Sequence, residues 1–256
     1  NQIKAAETAE ARESYLKSVY RRCQSLPLAA LGDDPNARDG VKLDDVYIDL
    51  HTTEKLEKSE KKEDDGSPRI PGRDDEEPLP AFDAFLKTPQ MVLLGDPGSG
   101  KSTFVRNLLA MQAEVLCGER EALNGVDAHL LPVLITLRDL IARLRKLDCK
   151  KDSAERRDTQ LVQVVDEQIT SDLSQLYRTP EFEGGLKDAL ANGQVLLAFD
   201  GLDEVPEHLR EKVRLAVAAY QAAYELPRVI VTSRIRSYHG SAVQHGFTAF
   251  TLAPFT

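Results

Sequence analysis

The sequence predicts an α/β fold built on a mostly parallel central sheet. Three observations carry that expectation. Short apolar runs recur at Met91–Leu94, Leu131–Leu137, Val195–Phe199 and Val229–Thr232, with Phe247–Leu252 as a possible fifth, and Val195–Phe199 lacks polar alternation. Segments with helical spacing lie between them, and strands alternating with helices imply parallel pairing with both faces covered. The first run leads directly into a glycine-rich loop and then an amphipathic stretch.

That loop is Gly95-Asp96-Pro97-Gly98-Ser99-Gly100-Lys101-Ser102-Thr103, which fits the pattern G-x-x-x-x-G-K-[ST] at Gly95, Gly100, Lys101 and Ser102. Glycines let the backbone curl so that several N–H groups point at one cluster of anionic oxygens. Lys101 adds a cation that can reach terminal phosphates, and Ser102 offers a hydroxyl to Mg²⁺. The helix that opens here directs its positive end to the same place. Phe104, Leu108, Leu109, Met111, Val115 and Leu116 continue at helical spacing, and Gly118 is the expected C-cap. Strand, glycine loop and helix together specify a P-loop NTPase three-layer sandwich.

A P-loop needs a carboxylate opposite it to hold the metal's water shell. Val195-Leu196-Leu197-Ala198-Phe199-Asp200 supplies one, because a strand buried on both faces ends there in an acid. A hairpin at Asp200-Gly201 is disfavoured, since Pro206 to Tyr224 reads as a helix and not as a returning strand. Gly201-Leu202-Asp203-Glu204 then adds two acids within a turn of the metal carboxylate. Glu204 and Asp203 are the candidates to position and polarise water; the dipole of the following helix is a second use for them. Val229-Ile230-Val231-Thr232-Ser233-Arg234 places Arg234 on the same sheet edge, where a guanidinium can sense or stabilise a γ-phosphate. Arg138, at the end of the Leu131–Leu137 run, has the same geometric argument and receives no role.

GDPGSGKST, LLAFDGLDE and VTSR, in that order, resemble the NACHT family of signal-transducing P-loop ATPases, within the STAND class and of bacterial NLR-like type. Leu131-Pro132-Val133-Leu134-Ile135-Thr136-Leu137-Arg138 is similar to that family's strand after the P-loop helix. Gly201 directly after Asp200, with the acids following later, is the most specific feature. The likeness covers Phe82 to Thr256 well. It is weaker over Tyr15 to Leu50, where Tyr15-Leu16 and Val46-Tyr47-Ile48-Asp49-Leu50 carry it. The resemblance implies a nucleotide switch with ATP/ADP and Mg²⁺ as ligands: closed and monomeric with ADP, opened by ATP exchange, self-associating into a ring or filament that gathers effector domains, and reset by slow hydrolysis. It also implies a helical domain, a winged-helix domain and a C-terminal sensor beyond Thr256, so the chain is expected to be the nucleotide-binding part of a longer protein. Innate immune or anti-phage signalling in the cytoplasm is the setting the resemblance suggests.

The expected layout is an N-terminal helix and strand over residues 1–50, a charged mobile insertion over 51–80, and the nucleotide-binding domain over 81–256. Ala5 to Ser25 reads as a polar helix with a Tyr15, Leu16, Val19, Tyr20 seam, and Val41 to Leu50 as a strand. Phe82 to Lys87 is a short helix, and Arg145 to Gln160 a surface loop or helix end. The 256 residues are 41% apolar and carry 42 acidic against 33 basic residues, net −9. That excess argues against non-specific nucleic-acid binding. Cys23, Cys117 and Cys149 have no metal spacing, and no apolar run approaches the ~20 residues of a membrane helix. Guanine selectivity through an N-K-x-D element is excluded, because no Asn-Lys pair occurs. The alternative function is a P-loop ATPase or kinase acting on a diffusible substrate without a switch role, but no cluster of lid arginines is legible.

Overall fold

The computed structural model of the chain describes residues 2–25, 51–54, 79–147 and 153–253. Among the described residues seven strands form one sheet: β1 (His51–Glu54), β2 (Leu79–Pro80), β3 (Gln90–Leu94), β4 (Leu131–Thr136), β5 (Val195–Asp200), β6 (Arg228–Ser233) and β7 (Thr248–Leu252), in the order β2-β1-β7-β3-β6-β5-β4. The five strands from β7 to β4 are all parallel. β1 is antiparallel to both β7 and β2. The helices are α1 (Gln2–Gln24), α2 (Ala81–Lys87), α3 (Lys101–Cys117), α4 (Leu137–Leu144), α5 (Ala154–Asp172), α6 (Glu183–Ala191) and α7 (Glu207–Ala223). They flank the sheet in a three-layer α/β sandwich, as the alternation of elements predicts.

Composition explains the centre of the sheet. All six residues of β5 are buried, as are the last four of β3 and the last five of β6. Such strands cannot alternate, because neither face meets water. α3 ends where expected: Gly118 takes a left-handed conformation (φ 74°), and the Glu119 N–H reaches the Glu114 carbonyl at 2.9 Å.

The seam of α1 packs on the α/β sandwich itself. Tyr15, Leu16 and Val19 are buried, and the helix lies along α3. The Tyr15 hydroxyl donates to the Pro132 carbonyl at 2.9 Å, and its ring stacks on Phe182 with centroids 5.0 Å apart. Ser18 donates to the Tyr177 carbonyl at 3.0 Å. Pro132 is tolerated because β4 is an edge strand, where a missing N–H leaves no partner unpaired.

Two differences from the sequence reading have physical causes. The expected strand Val41–Leu50 lies outside the described residues, as does most of the charged segment. The two ends of that segment are strands: β1 reads His-Thr-Thr-Glu and has no apolar signal, yet it pairs with β7, and the Thr52 hydroxyl donates to Leu79 at 3.0 Å. The polar stretch from Arg145 contains the first turns of α5, capped by Ser153, whose hydroxyl accepts the Arg156 N–H at 3.3 Å. Among the described residues no helix is long and apolar enough to cross a membrane.

Candidate functional site

Strand β3 ends at Leu94, and Gly95 to Gly100 wrap over its C-terminal edge before α3 begins at Lys101. Gly95 is fixed by close packing: a Cβ there would lie 2.3 Å from the Ser99 hydroxyl oxygen. Asp96, Pro97 and Gly98 form the exposed lip of the loop, while Ser99 is buried and its N–H returns to the Asp96 carbonyl at 3.1 Å. A Cβ at Gly98 would meet nothing within 4 Å, so the loop is open on that side. Gly100 caps α3 in a left-handed conformation and contributes no side-chain hydrogen bond. The first-turn N–H groups of Lys101, Ser102 and Thr103 therefore lack a side-chain cap, which leaves donors aimed at any anion in the loop.

Lys101 lies within this loop. Its ammonium donates to the carbonyls of Gly95 (2.8 Å) and Asp96 (2.9 Å) and to the Ser99 hydroxyl (3.2 Å). Burial pushes its pKa below the usual lysine value. The Arg234 guanidinium acts in the same direction, while Asp203, Asp200 and Asp96 oppose the shift.

The carboxylate expected opposite the loop is there. Ser102 donates to Asp200 Oδ1 at 2.9 Å across 98 residues of sequence. Asp200 is buried and held from the other side by Thr232, whose hydroxyl donates to the same oxygen at 2.5 Å. Thr232 also accepts the Gly201 N–H at 2.9 Å. One hydroxyl on β6 thus sets both the Asp200 rotamer and the start of the next turn. Gly201 takes a left-handed conformation (φ 86°) that a residue with a Cβ rarely adopts, and a 3₁₀ turn over Leu202–Glu204 follows. That reversal brings Asp203 and Glu204 back over the sheet edge.

Each acid meets an arginine there. Arg234 Nε lies 2.7 Å from Asp203 Oδ2, and Arg138 Nη1 lies 3.4 Å from Glu204 Oε2. Asp203 is only 11% exposed and Glu204 47% exposed. All the residues singled out in the sequence therefore meet at the C-terminal edge of the parallel strands, the usual place for a ligand in open α/β sheets. Two were missed. Arg138 had the right position but no partner in sequence, and it opens α4 instead of closing β4. Thr232 lay hidden inside an apolar run, because its role depends on β6 lying next to β5.

Ser102 and Asp200 offer oxygen donors, which suit a hard cation. Among the described residues no group of three or more His, Cys, Asp or Glu side chains is placed to hold a metal. One hydroxyl and one carboxylate fit Mg²⁺, which keeps several waters and takes further oxygens from phosphates. The sequence matches no protein-family model, and no curated protein aligns with it significantly.

Proposed function

We propose that this chain is the nucleotide-binding unit of a Mg-ATP switch of the NACHT type, a slow ATP hydrolase that governs self-association and effector activation in cytoplasmic defence signalling. The observation that carries the reading is the Ser102–Asp200 hydrogen bond. It joins the glycine-loop helix to the acid-tipped strand at one point beside Lys101, and a phosphate-bound cation needs that convergence.

The residues divide the work as follows. Gly95 to Thr103 hold the phosphates through backbone N–H groups, and Lys101 neutralises the terminal ones. Ser102 and Asp200 would hold Mg²⁺, which when bound offsets charge on the β- and γ-phosphates. Glu204 accepts a proton from water, and Arg234 faces the γ-phosphate once it leaves Asp203. Both acids rest against guanidiniums in this structure, an arrangement that favours slow turnover over a motor's rate. A third phosphate changes what Arg234 and Lys101 contact, and only that difference in contacts can shift a domain equilibrium.

The test is direct. Purified chain should bind ADP and ATP in a Mg-dependent way by calorimetry, and Lys101→Ala should abolish binding. Glu204→Gln should bind ATP and hydrolyse it far more slowly. Hydrolysis by Glu204→Gln at the parental rate would remove Glu204 from the reaction. GTP outcompeting ATP would overturn the nucleotide assignment.

A further inference from the structure

A cavity of about 570 Å³ opens beside the metal carboxylate, walled by α1, α3 and the β4–α4 junction. Ser102, Asp200 and Glu204 form one side of it; Arg22, Arg106 and Arg138 form much of the rest. Its size is within the range of small-molecule sites. Ser102 and Arg106 are four residues apart on α3 and share a face, so Arg106 stands about 6 Å along the helix from the metal hydroxyl.

The charges in this cavity are unevenly satisfied. Arg138 already has Glu204. Among the described residues neither Arg22 nor Arg106 forms an ion pair. Arg22 rests over the Tyr177 ring at 5.8 Å. Arg106 Nε is shut away from solvent and has no acceptor in reach. A guanidinium with no ion-pair partner can take an oxyanion through those of its N–H groups that face the cavity. Arg22 also complements the C-terminal end of α1, but that role is shared by Arg21 and needs nothing from Arg106.

We infer that Arg22 and Arg106 form a holding site for the orthophosphate cleaved from ATP at the adjoining P-loop, so that product release is delayed after the bond breaks. This rests on the proposed ATP hydrolysis. In that step a water oxygen bonds to the terminal phosphorus. The bond to the bridging oxygen breaks, and its electron pair stays with ADP. The proton from water passes to Glu204 and then to solvent. The product dianion is repelled by Asp139, Asp200 and Glu204, which all line the cavity. Arg22 and Arg106, neither of which forms an ion pair among the described residues, attract it. The diphosphate site and the phosphate site therefore hold their ligands separately while sharing a doorway at Ser102 and Glu204.

The experiment is calorimetric titration of inorganic phosphate into chain preloaded with ADP and Mg²⁺. Saturable binding is expected, weakened ~10-fold or more in Arg22→Ala and in Arg106→Ala, with ADP affinity unchanged in both. Arg106→Lys should restore part of the loss, since it returns the charge without the fork. Arg22 is exposed on the last turn of α1, so its variant keeps the test valid if Arg106→Ala fails to fold. Loss of saturable phosphate binding in the ADP-loaded parent, or unchanged affinity in the variants, overturns the holding site alone. Failure of ADP itself to bind overturns the P-loop reading and this one with it.

Discussion

Thr232→Val tests the internal logic of the site without touching any residue proposed to contact nucleotide. Valine matches threonine in shape, and position 232 is buried at 2% exposure, so packing is nearly preserved. What disappears is one hydroxyl with two bonds: its donation to Asp200 Oδ1 at 2.5 Å and its acceptance of the Gly201 N–H at 2.9 Å. A hydrogen bond to a charged group contributes about 1.5–3 kcal/mol, and a buried N–H left unpaired costs about 1–3 kcal/mol. Gly201 is half-buried, so water recovers part of the second term. The expected loss is about 2 kcal/mol in urea unfolding, with the m-value unchanged. Asp200, no longer held from the β6 side, should also bind Mg-nucleotide less well, by roughly 10-fold if about 1.4 kcal/mol of positioning is lost. Thr232→Ser keeps the hydroxyl and should retain the Mg-dependent affinity. Parental stability together with parental Mg-dependence in Thr232→Val would refute the claim that β6 fixes the metal carboxylate.

Three further outcomes follow from other contacts. Tyr15→Phe removes the hydroxyl that serves the Pro132 carbonyl and should cost about 1 kcal/mol, seen as a fall of roughly 2–4 °C in Tm. Burial raises the Asp172 carboxyl from 3.8 to about 6, so folding takes up a proton there; the resulting penalty is absent below pH 3.8, grows as pH rises, and is complete above about 6. Asp172→Asn, whose amide carbonyl can still accept from Gln168, should therefore raise Tm at neutral pH and lose that advantage as pH falls towards 4 in a thermal-melt series. Arg138→Ala breaks an exposed pair that contributes at most about 1 kcal/mol, so Tm should hold while ATP turnover rises by no more than ~5-fold as Glu204 is freed.

What could be read from the sequence follows the range of the forces involved. The loop, α3 and its Gly118 cap were legible because backbone geometry and helical spacing are local. β5 and β6 were legible because burial on both faces forces an unbroken apolar run. β1 was not, since a polar four-residue strand exists only by pairing with β7, whose position is set by the whole chain. The site divides the same way. Lys101, Ser102 and Asp200 announce themselves by motif and by position at a strand end. Thr232 and Arg138 gain their roles only when β5 lies between β6 and β4, which no window of sequence encodes.

The two acids after Gly201 look equivalent in sequence, and their surroundings separate them. Asp203 is nearly buried, and its 2.7 Å contact with Arg234 is a close ion pair with little water around the carboxylate. Such a carboxylate is well placed to hold an arginine in reserve and poorly placed to take up water. Glu204 is half exposed, its pairing with Arg138 is loose at 3.4 Å, and it lines the cavity beside Ser102 and Asp200. It can exchange its partner for a water molecule at small cost, because exposed ion pairs are weak. Under the proposed ATP hydrolysis, these surroundings favour Glu204 as the proton acceptor and Asp203 as the residue that holds Arg234. In the proposed reaction this division would leave γ-phosphate sensing to Asp203 with Arg234 and its hydrolysis to Glu204.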